Sequence, residues 1–327
     1  MIKKASFLLS IFFLFSCSFG DVGGFWSNEK KINQSDEKYE SIFKTENITS
    51  KEFNKNLEIS FHKENLRINK NSHLDNNDGF VNFGSGLKKI SKYKFSKIKS
   101  YKNFQPNLIF SQNNIIFFDN KGSILNFNDE SKLVWKKNNY TKEEKKINPL
   151  ITLAKNKNQI FLADNFANYY SLKVDDGELL WSKKHKSPFN SEIKIYKDKL
   201  FIVDTNNTIN CYSTLDGSKI WSYSTDKSFV NSSKKLSIII KGTLIVFSNS
   251  IGDLTALDLN SGNLQWQFSY LNSENYEEIM TLKTSALIEN ENSIYFSTNK
   301  NKFYSIDLIS GGINWIQKIN SEIKPLI

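Results

Sequence analysis

"DGELLW" at Asp176–Trp181 returns as "DGSKIW" at Asp216–Trp221, as "SGNLQW" at Ser261–Trp266 and as "SGGINW" at Ser310–Trp315. In each, a glycine (Gly177, Gly217, Gly262 or Gly311) stands four positions before the tryptophan. The text leading into each word has one construction, and it also leads into Trp135: "NIIFFDNKGSILNFNDESKLVW", "QIFLADNFANYYSLKVDDGELLW" and three more of the same build. An apolar run meets a polar turn, an alternating strand follows, and a second turn opens onto the tryptophan strand. One further apolar strand precedes each unit: "PNLIFS", "PLITLA", "SEIKIY", "KLSIII" and "TSALIE". Four short strands in a unit, with tryptophans 46, 40, 45 and 49 residues apart, match the period of a propeller blade.

Elementary physics accounts for the residues that recur. Glycine allows positive φ in a tight turn between twisted strands, and Asp176, Asp216 or Ser261 can bond the turn backbone. A lone four-stranded sheet cannot cover both of its faces. Stacked around an axis, each sheet covers the next, and Trp135, Trp181, Trp221, Trp266 and Trp315 are expected to act as mortar between blades. The predicted class is therefore all-β, a β-propeller of four-stranded antiparallel blades, with five blades present over residues 87–327.

The N-terminus has a different grammar. Met1–Lys4 carries two lysines, Ala5–Phe15 is apolar, and Ser16–Cys17 closes the run, the order of an export signal. Eleven helical residues reach only about 16 Å, far short of a hydrocarbon core of about 30 Å. "LFSC" at Leu14–Cys17 resembles the lipobox of bacterial lipoproteins, which implies residues 1–16 as signal peptide, lipid on Cys17 and a destination at the periplasmic face of the outer membrane. An ordinary export signal with an incidental cysteine is the competing reading. Residues 17–86 are polar and weakly patterned, as a tether would be. "ISKYKFSKI" at Ile90–Ile98 alternates with period 2 and is predicted to be a strand.

Charge and cysteine content narrow the function. The formal charge is +10, yet only Arg67 among 44 basic residues is arginine. Bidentate contacts to phosphates and bases need arginine, so nucleic acid is not expected as a partner and the lysines read as a solvated surface. With Cys17 lipidated, Cys211 has no partner for a disulfide, and its setting in "TINCYS" is that of a small buried hydrophobe. His62, His73 and His185 show no metal-ligand spacing. "GFVNFGSGLKK" at Gly79–Lys89 fails the phosphate-loop pattern, because Ser85 follows Gly84 where a lysine is required.

The "DGxxxW" and "SGxxxW" strands, each preceded by a strand such as "ALDL" or "SIDL", resemble the pyrroloquinoline-quinone-type propeller repeat. Combined with the signal and Cys17, they resemble the BamB family of outer-membrane lipoproteins over roughly Ile90–Ile327. That resemblance implies eight blades, a non-catalytic scaffold role in outer-membrane β-barrel assembly, and no cofactor or small-molecule substrate. It also implies a BamA-like barrel-assembly protein as partner, engaged by the loops between blades. Two of those loops are long, Ser222–Leu236 and Gln267–Lys283, and Phe229, Val230, Tyr276, Glu277 and Glu278 are the candidate contacts. The family's acidic pair in the second loop aligns with Thr281 and Lys283. Against eight implied blades, "KPLI" at Lys324–Ile327 matches the blade-opening "NPLI" of Asn148–Ile151, so a sixth blade reads as begun and about three as lacking. In a complete ring "ISKYKFSKI" would supply the outer strand of the final blade.

Two other functions compete. One is a periplasmic propeller that binds another protein or a small ligand in its channel. The other is a degenerate quinoprotein dehydrogenase, which by resemblance needs vicinal cysteines and a calcium site; no two cysteines are adjacent here.

Overall fold

The computed structural model describes residues 92–94, 108–111, 114–226, 234–271 and 276–325. The chain divides into two units, Met1–His62 and Lys63–Ile327, and all described residues belong to the second. Cys17, the tether, the Gly79–Lys89 stretch, Phe229 and Val230 lie outside the described residues.

Five four-stranded antiparallel sheets follow one another, each with its strands in simple sequence order. Blade 1 holds β1 (Ile109–Ser111), β2 (Asn114–Phe118), β3 (Ile124–Asn128) and β4 (Leu133–Lys137); blade 2 holds β5 (Ile151–Asn156), β6 (Gln159–Asp164), β7 (Asn168–Lys173) and β8 (Leu179–Lys184). Blade 3 holds β9 (Lys194–Tyr196), β10 (Lys199–Val203), β11 (Thr208–Ser213) and β12 (Lys219–Ser224). In blade 4 are β13 (Ile238–Lys241), β14 (Leu244–Ser248), β15 (Asp253–Asp258) and β16 (Leu264–Ser269). Blade 5 comprises β17 (Ile288–Asn290), β18 (Ser293–Thr298), β19 (Lys302–Asp307) and β20 (Ile313–Gln317). The five blades and their strand count agree with the reading of the sequence.

The core lies between blades. Ile116, Phe118 and Trp135 of blade 1 cluster with Leu153, Leu162 and Tyr170 of blade 2. The opposite face of blade 2, with Phe161, Tyr169 and Trp181, meets Leu200, Ile202 and Tyr212 of blade 3. The same alternation joins blade 3 to 4 and blade 4 to 5. Because successive side chains of a strand point to opposite faces, a run such as Ile160–Ala163 is buried throughout, half against each neighbour. That is why these strands read as apolar runs and not as alternating ones.

Each tryptophan sits at a fixed place on its outer strand. Trp135, Trp181, Trp221, Trp266 and Trp315 pair across the ladder with Asn126, Ser171, Cys211, Ala256 and Ser305, and the register shifts immediately after each pair. A bulge there increases the local twist, and the modest side chain opposite leaves room for the indole. The indole then reaches the next blade. A Cβ on Gly262 would stand 2.8 Å from Trp221, and one on Gly217 the same distance from Trp181. Both glycines have φ near +70°, so these positions demand glycine twice over, for backbone and for space. Gly177 receives Trp135 and Gly311 receives Trp266 in the same way. Trp135, Trp181 and Trp266 donate Nε1–H to the carbonyls of Val174, Thr214 and Leu308, at 2.9, 3.1 and 3.0 Å. Trp221 Nε1 is buried without an acceptor among the described residues.

The stretch predicted as a strand at Ile90–Ile98 carries none over Lys92–Lys94, the part described. Its placement is nonetheless informative. Tyr93 meets Phe117 and Phe127 edge-on, with centroids 6.5 and 5.4 Å away, and Lys92 N donates to Ser131 Oγ at 3.1 Å. Ser131 has φ of 66° and precedes Trp135 by the same four residues that separate Gly177 from Trp181. Tyr93 thus occupies on blade 1 the seat that Trp135 occupies on blade 2, where the outer strand of a preceding blade would lie.

Candidate protein-interaction site

The blade-to-blade loops all emerge at the end of the sheets that carries the β2–β3 type turns, and those turns hold them. Asp164 Oδ1 accepts from Phe166 N and Asn168 N, closing its own turn; its Oδ2 receives Tyr140 OH at 2.7 Å from the loop leaving blade 1. Asp204 repeats the arrangement. Its Oδ1 takes Asn206 N and Thr208 N, and its Oδ2 lies 3.0 Å from His185 Nε2. One blade further on, Asn249 Nδ2 donates to Thr225 Oγ1 at 3.2 Å. Tyr140, His185 and Thr225 follow their tryptophans by five, four and four residues, so the outer strand of each of blades 1 to 3 ends in a latch on the next blade's turn.

His185 also bonds Tyr212 OH through Nδ1 at 2.9 Å. A hydroxyl, an imidazole and a carboxylate in series have the order of a nucleophilic triad. Here the hydroxyl is buried, desolvation pushes its ionisation above the ordinary tyrosine range, and Asp204 is committed to its turn. The series is one member of the latch set. Burial likewise pushes the Cys211 thiol up to about 12, which leaves it unreactive as a nucleophile. Among the described residues, no group of three or more His, Cys, Asp or Glu is placed to hold a metal.

Of the expected contact residues, Tyr276, Glu277 and Glu278 lie together on α2 (Tyr276–Thr281), a helix in the loop from blade 4 to blade 5; α1 (Lys142–Lys146) lies in the loop from blade 1 to 2. The α2 helix is pinned from beneath. Ile279 and Leu282 are buried, Asn299 Nδ2 donates to Thr281 O at 2.7 Å, and Asn299 Oδ1 accepts from Lys283 N at 2.9 Å. Tyr276 is 56% exposed and Met280, one turn on, 61%. Sequence reasoning missed Met280; the signal was its i, i+4 spacing from Tyr276, legible once the segment is helical. Thr281 Oγ1 donates to Glu277 O, and Lys283 pairs with Glu322 at 3.2 Å, so these two positions are occupied within the chain. The result is an apolar pair flanked by carboxylates, standing on a buried, hydrogen-bonded seam.

A family model described as outer membrane protein assembly factor BamB matches residues 120–327, well over half of the chain. The chain belongs to the BamB family. Among solved structures, BamB from Moraxella catarrhalis aligns at a TM-score of 0.52 and 12% identity, over 67% of this chain and 62% of that one. The quinohemoprotein alcohol dehydrogenase ADHIIG of Pseudomonas putida HK5 aligns at 0.52 and 9% identity, over 65% of this chain and 41% of that one. At such identities the likeness is one of fold, and the propeller repeat is shared by BamB and by enzymes. Uncharacterized protein RP232 of Rickettsia prowazekii (strain Madrid E) is 21% identical over 107 residues, 32% of this chain and 25% of that protein. The chain spans a quarter of the length of this curated relative and about three fifths of the Moraxella BamB structure.

Proposed function

We propose that this BamB-family chain is a non-catalytic scaffold of the outer-membrane β-barrel assembly machinery. A lipid on Cys17 would hold it at the periplasmic face of the outer membrane, and a BamA-like barrel-assembly protein would be engaged by its interblade loops. The observation that carries the reading is α2, where Tyr276 and Met280 project beside Glu277 and Glu278 from a backbone anchored by Asn299. Exposed aromatic and thioether groups on a rigid loop are costly to leave in water and suit a protein interface. Phe229 and Val230 belong to the neighbouring loop and are proposed as its second element.

Photocrosslinking from position 276 of the full-length chain in native membranes tests this. A crosslink to the central barrel-assembly protein, weakened at least tenfold by Glu277→Lys with Glu278→Lys, is the expected result. Crosslinks to unrelated receptors, or an unchanged yield in the double variant, would refute the partner. Cys17→Ser should separately release the chain from membranes washed at high salt, where electrostatic contacts are screened and the acyl chains remain the anchor.

A further inference from the structure

The loop face has a second sector, unlike α2 in charge. Lys121 lies in the β2–β3 turn of blade 1, Lys142 and Lys146 on α1, and Lys184 and Lys186 at the end of β8 and just beyond it; all five are exposed. They are brought together by the first latch. Asn138 Nδ2 donates to Lys121 O at 2.9 Å, Tyr140 packs on Gly122 and meets the Phe166 ring at 6.1 Å, and His185 N donates to Ala167 O in that same turn of blade 2.

The nearby carboxylates are turned to other partners and not to these ammonium groups. Asp119, Asp164 and Asp204 are buried and bonded within their turns. The side chain of Glu144 closes a capping box by accepting from Thr141 N at 2.9 Å, which leaves Glu143 as the exposed acid on α1. Among the described residues, none of the five lysines forms an ion pair. Ile147, immediately after α1, is among the most exposed large hydrophobics of the described residues. Exposed lysines and an exposed apolar side chain on one loop face have the composition of an interfacial membrane contact, in which ammonium groups meet lipid phosphates and the alkyl group enters the acyl boundary.

We propose that the sector of the loop face that carries Lys121, Lys142, Lys146, Lys184 and Lys186 together with Ile147 rests on an anionic phospholipid surface. The idea draws on the reading that the chain works at a membrane, and a lipid-free chain separates the two claims. Full-length Cys17→Ser protein is to be sedimented with vesicles of phosphatidylcholine alone or with about one third phosphatidylglycerol. Binding should require the anionic lipid and fall about tenfold or more between 0.05 and 0.3 M salt, the range over which screening sets in. Lys142→Gln with Lys146→Gln should lower the partition coefficient about twenty-five-fold, taking roughly fivefold for each lysine at the surface. Ile147→Ser should lower it further. Lys132→Gln with Lys173→Gln, at lysines already paired with Glu130 and Asp176, should leave it unchanged. Circular dichroism of each variant should match the parent.

Absence of vesicle binding, equal binding to neutral vesicles, or equal loss in both lysine pairs would overturn the proposal whatever the fate of the α2 crosslink. Binding to polyglutamate as strong as to anionic vesicles, insensitive to Ile147→Ser, would overturn it in favour of an acidic protein partner.

Discussion

Asn190–Lys194 and Asn320–Lys324 spell the same five residues, NSEIK, and the fold treats them in opposite ways. Both serines are stitched to a blade: Ser191 Oγ accepts from Val203 N at 2.8 Å, and Ser321 O accepts from Ser297 Oγ at the same distance. Beyond that they diverge. Glu192 accepts from Ile238 N of blade 4, whereas Glu322 pairs with Lys283 of the preceding loop. Ile193 is 0% exposed and Ile323 79%. The tryptophans divide likewise. Trp135 is 8% exposed under the glycine turn of blade 2, but Trp315, which touches only Tyr295 and Phe303 among aromatic rings of its own blade, is 39% exposed. In this architecture burial belongs to the neighbour: a word becomes core only when the next blade lies against it.

The comparison can be broken most directly at the tryptophans. Trp221→Ala should cost about 3–5 kcal/mol, the range for a large aromatic cavity, while Trp315→Ala should cost about 1 kcal/mol, as expected for a part-exposed group. Equal shifts of the urea midpoint would show that both are covered alike. The isoleucines come next. Ile193→Ala should destabilise by about 2–4 kcal/mol and Ile323→Ala by no more than about 0.5 kcal/mol.

The glycine seats give a smaller effect and a finer test. Gly262→Ala combines positive φ with a clash against Trp221, whereas Gly242→Ala combines a similar φ of +59° with open space. Strain alone is worth about 1–2 kcal/mol, so Gly262→Ala should exceed Gly242→Ala by about 1 kcal/mol or more, and the excess should vanish in a Trp221→Ala background. A persistent excess would place the strain somewhere other than the indole. The smallest difference concerns one hydrogen bond. Trp181→Phe loses the bond to Thr214 O and should cost about 1 kcal/mol more than Trp221→Phe, whose parent has no acceptor.

The repeat, the blade count and the turn role of Gly177, Gly217, Gly262 and Gly311 were legible because each follows from local spacing. What spacing within a blade concealed is that the glycine of one unit serves the tryptophan of the unit before it. The word "GxxxW" therefore joins two residues that act in different interfaces. Sequence reasoning passed over α1, although Thr141–Glu144 carries a capping-box signature at its start. By contrast α2 was hidden inside a polar loop, because one buried turn with Ile279 is too short to set up a helical period. Tyr93 was read as part of a strand from its alternation. Its actual position depends on an aromatic seat formed by Phe117 and Phe127, a long-range pairing that no local pattern encodes.

Cys211 lies opposite Trp221 in the blade 3–4 core, and burial pushes its thiol up to about 12. In a Cys17→Ser chain it would be the sole sulfhydryl, shielded for as long as those two sheets stay closed. A thiol reagent would then act as a stopwatch on their separation. Labelling that scales with reagent concentration would give the equilibrium fraction of time the seam stands open, and labelling that plateaus would give the rate at which it opens. Set beside global unfolding, that rate would tell whether the blades come apart one seam at a time or all at once.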